Sequence, residues 1–368
     1  MTNKNRQPRS LRAVRSRPLA LACTSLVCTL LVSGCENSIE ANPAIPLTLR
    51  SDIPVTLATA SSQAIVNEAQ AFLATLSNDQ RAAAVFAFND NQQRANWSNF
   101  PHPVVSRAGI MIADMTEAQN NALHRLLKSV MSESGYQNIL YQLAADEASD
   151  EGDTHPLFGE EYYFISFLGE PSTQQPWMLQ FGGHHLAINA TFVGSDVSFS
   201  PMMTGGEPLH IQFNNKAVFI TEQELKAATR LLKSLSSEQQ AVAIRSSRTT
   251  DLISGPGQFG VTPVPEGIKG SELTAEQQGH LKALVASRVG MIYAEAADKT
   301  LDTLYQEINE TYFGWWGPQT PMGEAYYRIT GPNILMEYSP EESDQPADHA
   351  HNMYRNPKND YGAQWITQ

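Results

Sequence analysis

The chain has 368 residues, with 25 Lys and Arg against 38 Asp and Glu, and its formal net charge at pH 7 is −13. This acidity excludes a general nucleic-acid binder, because phosphate neutralisation needs a surplus of basic residues. The 3 cysteines cannot build a disulfide framework, and a hydrophobic content of 42% indicates a globular chain and excludes a disordered one.

Residues 1–34 predict a lipoprotein signal peptide. Basic residues and no acidic ones precede the apolar stretch Leu19–Val32, which is too short to span a membrane. The stretch ends in Leu31-Val32-Ser33-Gly34-Cys35, which resembles the bacterial lipobox. The resemblance implies lipidation of Cys35 and a membrane anchor. Glu36 at the next position implies the outer membrane, facing the periplasm or the cell surface; ordinary secretion is the alternative.

Cleavage of this signal would change both the charge and the cysteine content. It would remove six basic residues, leaving 19 against 38 acidic residues and a net charge of −19. Cys23 and Cys28 would leave with the signal, and Cys35 would carry lipid. The folded part would then have no free thiol, which excludes thiolate metal sites and cysteine nucleophiles. Residues 35–55, which contain three prolines, predict a tether between the anchor and the fold.

Three pairs of matching segments occur in the same order in the first and second parts of the chain, 158 to 164 residues apart. Self-similarity at nearly one offset predicts a duplicated module, with repeat halves at 56–214 and 215–368. The pairs are Phe72–Gln80 with Leu231–Gln239, Met115–Gln119 with Leu273–Gln277, and Gly159–Tyr163 with Gly323–Tyr327.

Each half is predicted to contain helices followed by antiparallel strands. Apolar residues at helical spacing predict first helices at 62–76 and 221–235, and Ser77 and Ser236 stand where N-caps belong. Helices followed by strands, twice, predict an α+β fold with a pseudo-twofold arrangement of the halves. Further helices are predicted after Thr116 and Thr274 and at 136–147 and 295–310, and strands at Tyr162–Leu168, Trp177–Phe181, Leu186–Val193, Ala325–Thr330 and Ile334–Tyr338.

Two histidine clusters give the main functional signal. His349 and His351 are two residues apart, so on a strand both rings point to one face. His184 and His185 are adjacent and would point to opposite faces. Gly182-Gly183 just before them permit a bulge or a close backbone approach that re-aims one ring. If the halves pack about a pseudo-twofold axis, the two clusters face each other.

These histidines predict a divalent transition metal. Imidazole and oxygen ligands without thiolates suit Zn, Fe, Cu or Mn, and three protein ligands with an open position are typical of a catalytic metal. The predicted ligands are His349, His351 and one of His184 and His185. The other ring of that pair is left for hydrogen bonding or acid–base chemistry, and His185, itself a candidate ligand, is also a candidate for that catalytic role. An active site without metal and a purely structural role are the alternatives.

Other polar residues allow a functional and a structural interpretation. Arg355 could clamp a carboxylate or phosphate and Asp360 could orient a histidine ring, or both belong to a turn-rich tail. Glu160 and Glu324 stand at matching positions of the proposed repeat. Each is a candidate ligand or general base, or a turn residue without such a role. The acidic run Asp146–Asp153 is interpreted as solvated charge within a loop, with loose Ca²⁺ binding as the alternative.

Three motifs resemble those of the family called domain of unknown function 3500. They are Arg94-x-x-Trp97-x-Asn99-x-Pro101, Trp177–Asn189 with its Gly-Gly-His-His segment, and the closing motif His349–Gly362. The resemblance covers nearly all of 62–362, but Asn356 stands where the family pattern usually has Asp. It supports the histidine site and implies no reaction, because the function of the family is open.

The sequence therefore predicts an exported lipoprotein that is a metal-dependent hydrolase or oxidoreductase acting on a small molecule. Walker A, GxGxxG, GxSxG and HExxH motifs are absent from the sequence, so no nucleotide cofactor is expected. A metal- or solute-binding envelope lipoprotein without turnover is the second hypothesis. An envelope interaction module with structural histidines is the third.

Overall fold

The structure is a computed structural model, and it describes residues 62–102, 104–150, 158–341 and 347–366. The predicted signal peptide, the tether and Cys35 lie outside the described residues. Across these described ranges, no helix combines the length and the apolar character needed to cross a membrane.

Most helices form where periodicity and caps predict them. Ser77 and Ser236 each accept a hydrogen bond from the third residue of the following helix, and the Gln at that position bonds back to the cap, which completes a capping box. Thr116 and Thr274 do the same. The helices are α1 Ser62–Ala74, α2 Asn78–Ala84, α3 Asn91–Arg94, α4 Glu117–Val130, α5 Glu133–Asp150, α6 Glu222–Ser234, α7 Ser237–Ala243, α8 Ala275–Val289 and α9 Ala294–Gln306.

The five predicted strands are present, and the described chain contains further strands. Several of these are fully buried, so they lack the polar alternation that marks a strand with one solvated face. The strands are β1 Val85–Phe86, β2 Ile110–Met111, β3 Phe164–Leu168, β4 Trp177–Gly183, β5 Leu186–Val193, β6 Asp196–Ser198, β7 Met202–Gly206, β8 His210–Phe213, β9 Lys216–Phe219, β10 Ile244–Ser246, β11 Ile268–Lys269, β12 Tyr312–Trp316, β13 Tyr326–Gly331, β14 Ile334–Pro340 and β15 Ala350–Arg355.

The described strands, apart from the small β8–β9 hairpin, join into one 13-stranded sheet, and the fold is α+β as predicted. The sheet is mostly antiparallel, with the order β1-β3-β4-β5-β7-β15-β14-β13-β12-β10. Strands β7 and β15 pair at its centre, where Met203 lies opposite Met353. Strands from the two parts of the sequence therefore form a single sheet, a point that the sequence left open.

The two faces of the sheet are covered differently. On β15, Ala350 and Tyr354 join the large core beneath the helices, whereas Met353 joins a second apolar cluster with Trp97 and Tyr361. Alternate residues of a strand point to opposite faces. His351 has the same parity as Met353, so its ring lies on the face that loops cover.

One of the three sequence matches occupies different places in the two parts of the fold. Gly159–Tyr163 precedes β3, whereas Gly323–Tyr327 runs into β13. Both glycines have positive φ angles, 130° and 99°. The resemblance therefore reflects a shared local need, a glycine turn before a buried aromatic strand, and Glu160 and Glu324 do not hold equivalent positions.

Candidate metal site

The His184-His185 pair forms the turn of a tight hairpin between β4 and β5. Gly183 pairs with Leu186, which leaves the two histidines as the connection. A Cβ on Gly183 would lie 2.7 Å from the Tyr163 ring, so only glycine permits this packing. The Tyr163 hydroxyl donates to the carbonyl of His184 at 2.7 Å. The close backbone approach predicted for this segment is confirmed.

His185 has a left-handed backbone conformation, with φ of 53°. For a side chain other than Gly, Asn or Asp, this conformation costs roughly 1–2 kcal/mol. Its ring is nevertheless buried, with 2% of the residue exposed. Strained residues of this kind occur often at functional sites, where the surrounding structure holds them in place.

The second cluster begins strand β15. His349 immediately precedes the strand, and His351 pairs with Ser339 on one side and Gly205 on the other. A Cβ on Gly205 would lie 2.2 Å from the carbonyl oxygen of Ala350, so this crossing also requires glycine. The two clusters do not hold equivalent places in the fold, because one is a hairpin turn and the other starts a strand.

The three rings of His185, His349 and His351 converge at one end of the central strands. The Nε2 atoms of His185 and His349 are 2.9 Å apart. The ring centroid distances are 4.7 and 4.9 Å from His185 to the other two rings, and 5.1 Å between those two. One ligand nitrogen from each ring lies within 4.8 Å of the others. The predicted meeting of the two histidine clusters is present in the structure.

Carboxylates orient the rings from outside this set. Nδ1 of His351 lies 2.9 Å from Oε1 of Glu341, which leaves Nε2 of His351 available to a cation. A carboxylate behind a metal-binding histidine fixes the ring and its tautomer. Nε2 of His351 now lies 3.3 Å from the side-chain nitrogen of Asn99, so a cation would replace that contact. The hydrogen bond between Glu341 and Nδ1 of His351 lowers the pKa of Glu341.

Asp146 is a site residue that the sequence interpretation missed. It was assigned to a solvated acidic loop, but it lies on α5, is 2% exposed, and places Oδ1 2.7 Å from Nδ1 of His184. The local pattern of acids indicated solvent, whereas the contact depends on how α5 packs against the β4–β5 turn. Burial raises the pKa of Asp146, an effect that the bond to His184 opposes.

Burial also sets the charge state of the rings. It lowers the pKa of His185 well below the usual histidine value, and His184, His351 and His349 lower it further. Burial likewise lowers the pKa of His349. A metal coordinates neutral imidazole, so these rings are ready to bind a cation at neutral pH without first losing a proton.

Glu207 stands at the solvent edge of the cluster. Its carboxylate oxygens lie 3.8 Å from Nε2 of His184 and 3.6 Å from Nδ1 of His349, and 41% of its side chain is exposed. These separations exceed hydrogen-bond length but lie within ion-pair distance, so Glu207 faces both rings without a direct hydrogen bond to either. Glu207 follows β7, and no motif in the sequence predicts it as a site residue.

Arg107 is a third site residue that the sequence did not predict, and it holds the site together. Its guanidinium donates to the carbonyls of Ser98 at 2.7 Å, Phe100 at 2.5 Å, Gly183 at 3.0 Å and Val105 at 3.1 Å. It thus ties the loop that carries Asn99 to the turn that carries His184 and His185. No short motif marks this role, because all its partners are backbone atoms.

Replacing Arg107 by Lys should disturb the site and the fold together. An ammonium group cannot reach four carbonyls arranged for a planar guanidinium, so buried acceptors would lose their donors. We expect a loss of about 3 kcal/mol in unfolding free energy and a roughly 10-fold to 100-fold loss of metal affinity. Urea unfolding and metal titration measure both. Arg125→Lys, at a position 40% exposed, is the matched control and should change neither.

Arg355 and Asp360 face a different partner from the one predicted. Nη1 of Arg355 lies 2.5 Å from Oδ2 of Asp360, and its other nitrogens donate to the carbonyls of Ser254 and Gly255. Both side chains are buried. The carboxylate of Asp360 therefore orients Arg355 and not a histidine ring, and the guanidinium is occupied by protein groups instead of a substrate anion.

The remaining sequence candidates have structural contacts. Glu324 accepts a hydrogen bond from the backbone nitrogen of Ala347 at 2.7 Å, and Glu160 begins a short 3₁₀ turn before β3. The acidic run beyond Asp150 lies outside the described residues.

The donors present fit a transition metal and define the class of the site. In a tetrahedral site with metal–nitrogen bonds of about 2.0–2.1 Å, neighbouring ligand nitrogens are about 3.3 Å apart. The pair at 2.9 Å, His185 with His349, is close to this spacing. Imidazole ligands suit Zn, Cu, Fe or Ni. Three rings with carboxylates behind and beside them form a histidine-rich candidate metal site on an α+β sheet.

Residues 58–363 match the family described as protein of unknown function (DUF3500), and the chain belongs to this family. The resemblance stated from the three motifs is thereby confirmed. Comparison with curated proteins and with solved structures gave no match.

Proposed function

We propose that this chain is an exported, lipid-anchored enzyme of the bacterial cell envelope that uses a divalent transition metal. The observation that carries the proposal is the convergence of His185, His349 and His351 beside a half-exposed carboxylate, Glu207. Three nitrogen ligands leave a coordination position for water or substrate, which is the arrangement of catalytic metal sites.

Hydrolysis is the reaction class that these side chains support best. A metal lowers the pKa of bound water, and a carboxylate close to that water can accept its proton. Glu207 has the exposure and the position for this role. His184, bonded to Asp146, lies on the other side of Glu207. An oxidative reaction, with Fe or Cu at the same ligands, is the alternative reaction.

A cleft next to Glu341 offers a place for a small polar substrate. Its volume is about 290 Å³, and Arg248, Thr249, Pro318, Glu324 and Glu341 are among the residues that line it. Because Glu341 also bonds to His351, the cleft reaches the residues that support the metal ligands. Arg248 and the carboxylates of Glu324 and Glu341 give this cleft both hydrogen-bond donors and acceptors for a small polar substrate.

The export proposal rests on the sequence. The basic segment, the short apolar stretch and Leu31-Val32-Ser33-Gly34-Cys35 occur in the order required of a lipoprotein signal. Lipidated Cys35 would anchor the chain in the outer membrane, and 35–55 would serve as the tether. The net charge of −19 after cleavage opposes binding to nucleic acid.

We also propose that the chain arose by duplication, with halves at 56–214 and 215–368. The sheet order is symmetric about the β7–β15 pair, and β1 pairs in parallel with β3 as β10 does with β12. In each half, the glutamines of two capping boxes hydrogen-bond to each other in the same way. Gln119 donates to Gln80 at 2.8 Å, and Gln277 donates to Gln239 at 2.8 Å.

A second candidate function is metal or solute binding without turnover. It is favoured by the burial of His185 and His351, which are 2% and 5% exposed, because deeply held ligands suit retention of a metal. In this case Glu207 would be a fourth ligand instead of a base.

Metal titration and turnover of a few variants test the proposal. His349→Ala should abolish tight binding of Zn²⁺, whereas His280→Ala, on α8 under the opposite face of the sheet, should leave it unchanged. Glu207→Gln should keep the metal but lower hydrolysis of chromogenic esters or phosphoesters by about 100-fold or more. Metal binding without hydrolysis of either class would support the binding function. A wild-type protein that binds no metal would contradict both.

A further inference from the structure

A second set of metal-ligating atoms lies on the inner side of His185. Asp146, His184 and His185 each offer one ligand atom, and these three atoms all lie within 4.8 Å of one another. Oδ1 of Asp146 and Nδ1 of His184 are also hydrogen-bonded, at 2.7 Å. All three residues are buried, with 2%, 6% and 2% exposure. This set differs from the first because it contains a carboxylate and lies deeper.

His185 belongs to both sets, and its two ring nitrogens have different surroundings. Nε2 lies 2.9 Å from Nε2 of His349, on the side of the first set. Nδ1 is buried and has no hydrogen-bond partner among the described atoms. Buried polar atoms are almost always paired in folded proteins, so an unpaired nitrogen on a ring whose centroid lies 3.7 Å from that of His184 indicates a missing ligand.

We propose that the site binds two divalent transition-metal ions, which share the ring of His185. One ion lies on His185, His349 and His351, and the second lies on Asp146, His184 and Nδ1 of His185. This inference rests on the proposed function, because the first ion is the one proposed there.

The charge balance follows from the groups present. Binding of the second ion displaces the remaining ring proton of His185 to solvent, so that the ring becomes an imidazolate that bonds one ion through each nitrogen. The carboxylates of Asp146, Glu207 and Glu341 supply further negative charge. Ions on opposite nitrogens of one ring lie about 6 Å apart, given metal–nitrogen bonds of about 2 Å.

The alternative is that Asp146 only orients His184. A carboxylate that does not coordinate the ion but orients a histidine ring changes the metal affinity of the site. It leaves the number of bound ions unchanged. The two interpretations therefore differ in stoichiometry, which can be measured independently of any reaction.

The experiment is a titration of the metal-free full chain with Cu²⁺. Two quantities are measured on each sample: the copper bound per chain and the number of spins in the electron paramagnetic resonance signal. We expect the wild type to bind two equivalents of copper. Its spin count should be far below the number of bound copper ions, because a bridging imidazolate couples the two spins. Asp146→Asn should bind one equivalent with a full one-spin signal. His184→Gln should give the same result and replaces Asp146→Asn if that variant does not fold.

The possible outcomes separate this inference from the proposed function. One equivalent in the wild type, unchanged in Asp146→Asn, would overturn the second ion and leave the first intact. Two equivalents in both proteins would also overturn it, because the second ion would then lie elsewhere. No bound copper in the wild type would overturn both proposals.

Discussion

Replacing Asp360 by Ala should lower the unfolding free energy by roughly 3–5 kcal/mol, the usual cost of removing one partner of a buried ion pair. Arg355 and Asp360 are 0% and 1% exposed, and the pair is 2.5 Å long. Oδ1 of Asp360 also accepts from the Ser200 hydroxyl at 2.6 Å, and Oδ2 accepts from the backbone nitrogen of Gly260 at 3.0 Å. Loss of the carboxylate would leave a buried guanidinium and two donors without an acceptor.

Urea unfolding of the metal-free protein measures this effect without a contribution from bound metal. Asp196→Ala is the matched control, because it breaks an ion pair with Lys299 in which both side chains are more than half exposed. It should lower the unfolding free energy by about 1 kcal/mol or less. The metal affinity of Asp360→Ala, measured while folded, should equal that of the wild type. A clear loss of affinity in the folded variant would return Asp360 to the role of orienting a histidine.

Replacing His185 by Asn should have a large effect on metal binding and a small effect on the fold. His185 contributes a nitrogen to both candidate sets, so its loss should weaken metal binding by more than about 100-fold. This exceeds the usual loss of affinity when a residue that only hydrogen-bonds to a metal ligand is replaced. Asn tolerates the left-handed conformation at this position better than His does. Relief of that strain should offset part of the packing lost with the ring.

Calorimetric titration with Zn²⁺ and urea unfolding of the same preparation separate these two effects. His210→Asn is the control, because His210 lies on the separate β8–β9 hairpin and is exposed. It should change neither quantity appreciably. Unchanged zinc affinity in His185→Asn would remove this ring from the site. A large loss of stability would show that the ring is retained for packing.

The sequence predicted the parts of the fold that depend on local chemistry. Helices follow from apolar spacing and from caps such as Ser77 and Ser236, whose hydrogen bonds involve only neighbouring residues. The turn at His184-His185 follows from the glycines before it. Strand β12 was missed because its aromatic run, which includes Trp315 and Trp316, is buried and shows no alternation.

The site was predictable only in its histidines. Their clustering and spacing are visible in the chain, and the structure brings the two clusters together. Asp146, Arg107 and Glu207 were missed because their roles arise from contacts between segments far apart in the sequence. Arg355 and Asp360 were assigned to the site from their polarity, although they stabilise each other under the loop that contains Ser254 and Gly260.

The most direct test of the account is a crystal structure of the Zn²⁺-loaded protein, with the ion located by anomalous scattering. We expect an anomalous peak about 2.0–2.1 Å from one nitrogen each of His185, His349 and His351. An ion that lies at other residues, or no peak in protein crystallised with saturating zinc, would contradict the central claim that these three rings form a metal site.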